Sequence, residues 1–164
     1  MEKIKESVFD AGPFIHLDEI KNTKFIFLFK RILTTKEIIK ECKGILISNL
    51  SNVIITELNP ISKDFTKYIS EKYSVDLGES TGIALCKQEK IKFFFTDDLE
   101  ARKAAEDLGF ESHGTIAIIL RSYRERLLTK KETKEAVENL YRKSSLFITK
   151  DLVDWTLKEI DNYN

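Results

Sequence analysis

Between Ile91 and Asp98 the chain reads IKFFFTDD. Side chains alternate between the two faces of a strand, so consecutive phenylalanines put apolar rings on both. A strand this uniformly apolar does not belong at a half-wetted edge. It belongs in a sheet covered on both faces. The run then ends in two adjacent carboxylates, Asp97 and Asp98.

The rest of the chain alternates short strands with capped helices. A strand is expected near Glu6–Phe9, then a helix through GPFIHLDEI, with Pro13 acceptable in its first turn. TKFIFLFKRI leaves two readings open. Five consecutive apolar residues fit either a buried strand or a helix with a second apolar side, which would pack on another subunit. In TTKEIIKECKG, Thr34 and Glu37 fit a capping box and Gly44 a helix stop. NVIITEL reads as a strand, PISKDFTKYISEKY and GESTGIALCKQEK as helices. LEARKAAEDLG reads as a helix capped by Asp98 and ended by Gly109. Three more helices are expected, from HGTIAIIL, from TKKETKEAVENLYRK with a Thr129–Glu132 capping box, and from TKDLVDWTLKEIDNY. Alternation of this kind implies a three-layer α/β/α sandwich with a mostly parallel central sheet, within a single domain over 1–164.

Ligands of such sheets bind outside the carboxyl ends of the strands. Asp10 ends the first strand and Asp97 and Asp98 end the phenylalanine strand, so parallel pairing delivers all three to one edge. Glu41, on the KEIIKEC helix, and Glu79, in the first turn of its own helix, can face that edge. Helix dipoles favour a carboxylate at Glu79 in any case. Acids gathered in one cleft repel one another unless cations compensate, and oxygen ligands suit magnesium or manganese. Such an ion can activate a water and stabilise charge growing on a phosphate. Zinc is not suggested, because His16 and His113 stand apart from each other and from Cys42 and Cys86. The two cysteines read as buried thiols of a reducing compartment. Taken singly, the acids have plain roles: Asp98 as a cap, Glu41 as a solvated helix residue, Glu57 as a loop residue.

The 27 basic and 27 acidic side chains leave no net charge. A strongly positive surface for nucleic acid is therefore excluded, and local patches or bound cations would have to serve. MEKIKESVF is too charged for a signal peptide, and KFIFLFK is far short of a membrane span. The cytoplasm is the expected address.

Several segments also resemble the PIN-domain ribonucleases, most closely the VapC-like branch DUF3368. They are VFDAGPFIHL, LTTKEIIKEC, LGESTGIALC, FFTDDLEARKAAEDLGF and GTIAIILRSYRERLLTKKE, with the LFITKDLVDWTL tail, in the family's order. The resemblance implies an endoribonuclease using Mg2+ or Mn2+. Its catalytic and metal-binding acids would be Asp10, Glu41, Glu79 and one of Asp97 and Asp98. It also implies an RNA substrate, an antitoxin protein as a partner for toxin members, and a homodimer. Thr96 is similar to the polar residue that precedes the family's last acid. Two departures stand out: Thr35 where the second motif usually begins with proline, and Glu79 where many relatives have Asp.

Other residues near these motifs are candidates for contacting substrate. Arg102, one turn after Asp98, can lock a carboxylate or meet a phosphate. Arg121 and Arg124 belong to the densest basic stretch, which is either an RNA contact or a solvated surface. Thr115 reads as a helix cap near the cleft. His16 reads as structural rather than as a general base. Phe93, Phe94 and Phe95 read as core, not as a stacking platform for bases. Phosphatases with a catalytic aspartate at the first strand are disfavoured, since their second Asp would fall at Gly12. Receiver domains are disfavoured because their acidic pair comes early in the chain. A non-catalytic scaffold or a protein- or RNA-binding module is the remaining alternative.

Overall fold

The computed structural model describes residues 5–45 and 47–163. Five strands form one sheet: β1 Glu6–Phe9, β2 Arg31–Thr34, β3 Val53–Ile55, β4 Phe93–Phe95 and β5 Glu111–His113. Their order is β3-β2-β1-β4-β5 and every pairing is parallel. The helices are α1 Ala11–Glu19, α2 Lys36–Glu41, α3 Pro60–Tyr73, α4 Leu77–Glu89, α5 Leu99–Asp107, α6 Thr115–Arg124, α7 Lys130–Lys143 and α8 Lys150–Asn162. The expected α/β sandwich with a parallel sheet is present.

Strand alternation builds two cores. Phe9, Ile32 and Phe95 point to one face, where α1, α6, α7 and α8 supply Phe14, Leu17, Ile118, Val137, Leu140 and Val153. Val8, Leu33 and Phe94 point to the other, against Ile69 of α3, Ile83 and Leu85 of α4 and Ala104 of α5. Phe9, Phe14, Phe29 and Phe95 pack their rings together beneath the first face, with centroids 4.9–5.4 Å apart. On the second face α4 lies very close to the sheet. A Cβ at Gly82 would stand 2.8 Å from the Phe94 ring. The helix is buried almost all round, as its short Gly, Ser, Thr and Ala side chains permit.

Chain direction follows local signals closely. Thr129 and Glu132 form their capping box, and Asn59, Asp98 and Thr149 cap α3, α5 and α8. Four expectations need correction. The KFIFLFK segment is neither strand nor α-helix but a 3-10 helix over Thr23–Leu28. Its burial repeats every three residues: Lys24, Phe27 and Lys30 are exposed, while Phe25, Ile26, Leu28 and Phe29 are buried. Three residues per turn put both apolar pairs on the inner side, so no broad second apolar face results. The cap of α2 is Thr35, which accepts from the Ile38 N–H, because Thr34 is still the last residue of β2. Its helix also ends at Glu41, before Gly44. Two short strands were not read as such: β2 starts at the end of the open TKFIFLFKRI segment and runs into the expected α2 cap, and β5 lies just before the HGTIAIIL helix.

Cys42 and Cys86 are free and buried. Among the described residues no helix is long and apolar enough to cross a membrane.

Truncating Phe94, fully buried between β4 and Gly82, should cost about 3–5 kcal/mol. Urea unfolding of Phe94→Ala measures it. A loss under about 1 kcal/mol would mean that α4 does not seat on this ring.

Candidate functional site

The chain runs β1, β2, β3 to one side of the sheet and then β4, β5 to the other, so β1 and β4 meet at the switch point. Their register is Val8↔Phe94 and Phe9↔Phe95. The ladder extends one step further, the Asp10 N–H donating to the Phe95 carbonyl at 2.9 Å. Asp10 therefore stands beside Thr96, whose hydroxyl donates to Asp10 Oδ2 at 2.8 Å. The Asp98 N–H donates to the same Thr96 oxygen at 3.2 Å. Asp10 is only 5% exposed, yet among the described residues its Oδ1 has no hydrogen-bond partner. An orphaned buried carboxylate oxygen is uncommon and calls for an explanation.

The two neighbouring aspartates differ sharply. Asp97 Oδ1 accepts from the Thr115 N–H at 2.7 Å. Its Oδ2 accepts from the Thr115 hydroxyl at 2.6 Å and pairs with His16 Nδ1 at 2.7 Å. Both oxygens are thus committed to holding α6 and α1 against the end of β4. Asp98 is exposed, and its Oδ1 caps α5 through the Ala101 N–H at 2.8 Å. Thr115 is not a cap, as had been expected. Gly114 takes the N-cap position, and Thr115 instead serves Asp97. His16 is buried against Asp97, a partner that could not be read from the chain.

The other two acids come from helices covering this edge. Glu79 sits in the first turn of α4, and its Oε2 accepts from the Asp76 N–H at 2.9 Å. The Glu41 carboxylate lies against Gly78, so closely that any Cβ there would collide with it. A buried chain of hydroxyls joins the two helices. The Ile38 N–H donates to Thr35 Oγ1, Thr35 and Thr81 share a hydrogen bond of 2.8 Å, and Thr81 donates to the Gly78 carbonyl at 2.7 Å. With Thr81's proton spent on Gly78, Thr35 must be the donor between them. Threonine at position 35 can make this link, whereas proline could not.

These acids sense one another. Burial raises the Asp10 pKa from an ordinary 3.8 to about 6, with Glu41 and Asp97 adding to the rise. Burial raises Glu79 to about 7, with Asp98, Asp10 and Asp76 adding. Glu41 is raised by burial and by Asp76. Burial, helped by Asp10 and Glu41, pushes the Cys42 thiol up to about 12, so it stays a protonated, inert group. The donor set is all oxygen, which suits a hard divalent cation. Even so, among the described residues no three His, Cys, Asp or Glu side chains are gathered closely enough to hold an ion. The acids share an electrostatic neighbourhood without forming a ready cage.

The expected basic contacts have local partners. Arg102 Nε donates to Ser112 Oγ at 3.4 Å, reaching neither a carboxylate nor the acids. Arg121 pairs with Glu125 at 3.1 Å, and Arg124 lies over the Tyr163 ring. Arg124 is nine residues beyond Thr115, about 14 Å along α6.

A family model described as DUF3368: PIN domain matches residues 6–162. A search of curated proteins found no match.

Two outcomes follow from this geometry. Replacing Thr81 by valine leaves the buried Thr35 hydroxyl without its acceptor and should cost about 1–3 kcal/mol in urea unfolding. The second concerns pH. Asp10 and Glu79 bind protons more tightly folded than at their unfolded values of 3.8 and 4.5. Their contribution to stability is therefore complete below those values and is lost as pH rises through about 6 and about 7. In EDTA the melting temperature should fall between pH 5 and pH 8, and millimolar manganese should restore it at pH 8 more than at pH 5. A flat profile would refute the shared burial of these carboxyls.

Proposed function

The chain belongs to the PIN-domain family, DUF3368, and from that premise we propose that it is a divalent-metal-dependent endoribonuclease. The observation that carries this reading is Asp10: a buried carboxylate at the switch point with one oxygen fixed by Thr96 and the other unpartnered. Asp10, Glu79 and Asp98, with Glu41 beside Gly78, would hold magnesium or manganese. When bound, the ion would supply a Lewis acid that makes a water nucleophilic and offsets charge developing on the scissile phosphate. Asp97 has a different part. With both oxygens taken by Thr115 and His16, it positions the ends of α6 and α1.

The chain's own residues prepare this site. Thr96 orients Asp10 so that Oδ2 is held, in the manner of an outer partner that aims a metal ligand. The Thr35–Thr81 link fixes α2 relative to α4, and so fixes the spacing of Glu41 and Glu79. Glu79, with its pKa near 7, carries a proton part of the time near neutrality and would release it on ion binding. Glu41 and Glu79 would have to turn inward from Gly78 and the Asp76 N–H, which accounts for the spread of the acids without an ion.

That same spread favours a second reading, a non-catalytic module binding RNA or protein. The VapC resemblance makes an antitoxin protein the expected partner in either case. A homodimer would find exposed apolar side chains at Tyr141, Phe147 and Trp155. The cytoplasm remains the proposed location.

Asp10→Asn separates the readings. It should reduce manganese-dependent cleavage of single-stranded RNA to background. It should also leave the melting temperature in EDTA at pH 8 equal to or above wild type, because a buried charge is removed while Thr96 keeps its acceptor. Equal cleavage by wild type and variant, or none by either, would exclude the nuclease. A lower melting temperature for Asp10→Asn would give the carboxylate a structural role instead.

A further inference from the structure

A cleft of about 380 Å3 opens at the same edge of the sheet, on the far side of the first turn of α4. Thr56 and Leu58 follow β3 into it, Lys36 begins α2, and Leu77 and Thr81 flank the Gly78 that touches Glu41. Lys63 and Lys67 reach it from successive turns of α3. Its walls combine apolar surface, hydroxyls and three ammonium groups. Two acids, Glu37 and Glu57, and Thr66 also line it.

The cations are available. Lys36 pairs with Glu57 at 2.5 Å, but both side chains are more than 60% exposed, and a pair so wetted exchanges partners at little cost. Lys67 lies 3.7 Å from an exposed Asp64, and Lys63 makes no ion pair among the described residues. The arginines on the opposite side of the acids have partners already. A chain without net charge must therefore meet a polyanion locally, and Lys36, Lys63 and Lys67 place three cations in one cleft at this edge.

We propose that this cleft receives one nucleotide of a single-stranded RNA next to the scissile phosphodiester. Its phosphate would lie on Lys63 and Lys67, with Lys36 exchanging Glu57 for it, and its base would rest between Leu58 and Leu77. The volume falls in the range of small-ligand sites. Thr56 can donate to or accept from a base or ribose, which gives tolerance of sequence rather than strict reading. The proposal rests on the nuclease reading for which bond lies next door, but not for binding itself.

The test uses a fluorescein-labelled ten-nucleotide RNA and fluorescence anisotropy in EDTA, so that nothing is cut. Lys63→Gln with Lys67→Gln should weaken binding about tenfold and lower the salt slope by about 1.4, two contacts at about 0.7 each. Lys143→Gln with Lys158→Gln, exposed on α7 and α8, removes the same charge elsewhere and should change affinity less than about twofold. Equal effects of the two pairs would overturn the cleft, whatever the cleavage assay gives. Binding lost only with the cleft pair would uphold it even if wild type never cuts RNA. Free uridine monophosphate binding as tightly as the ten-mer would overturn the assignment to an RNA strand.

Discussion

Everything at the functional edge depends on the parallel pairing of β1 with β4. That register sets Asp10 beside Thr96, and the hydroxyl of Thr96 then fixes one carboxylate oxygen and leaves the other buried alone. A carboxylate in such a place is costly, since burial penalises its charge and only part of that is offset by hydrogen bonds. The fold tolerates it because apolar cores on both faces of the sheet, one of them rich in phenylalanine, stabilise the strands that carry it. Instability is thereby concentrated at the point where an ion would relieve it.

The adjacent aspartates show how two identical side chains divide their work. Asp97 receives three donors, from Thr115 and His16, and so acts as an internal tie between a strand end, the start of α6 and the last turn of α1. Asp98 gives one oxygen to the first turn of α5 and keeps its exposure. Alternation of side-chain direction beyond the strand is enough to send neighbours into different surroundings. The acidic pair that first marks the sequence is thus one anchor and one candidate ligand.

Around this centre the two covering helices are tied to each other rather than to the acids. The hydroxyl relay from Ile38 through Thr35 and Thr81 to Gly78 is buried. The carboxylates of Glu41 and Glu79 are placed separately, one against Gly78 and the other on the Asp76 N–H.

Periodicity and caps were enough to read most helices, the phenylalanine strand and the edge where Asp10, Asp97 and Asp98 gather, because those signals are written in neighbouring residues. Three-residue β5 and four-residue β2 were not legible, since strands so short carry no pattern apart from their partners. The 3-10 helix was masked by Phe27, an exposed ring interrupting an otherwise three-fold repeat. The chain alone determined the layered class and which acids share a rim. Only the tertiary structure decided that Asp97 bonds His16 and Thr115, that Thr35 reaches Thr81, and that the arginines of α6 turn to local partners. The Asp97–His16 and Thr35–Thr81 contacts join residues 81 and 46 positions apart, and their geometry arises from how helices seat on the sheet, which no local pattern encodes.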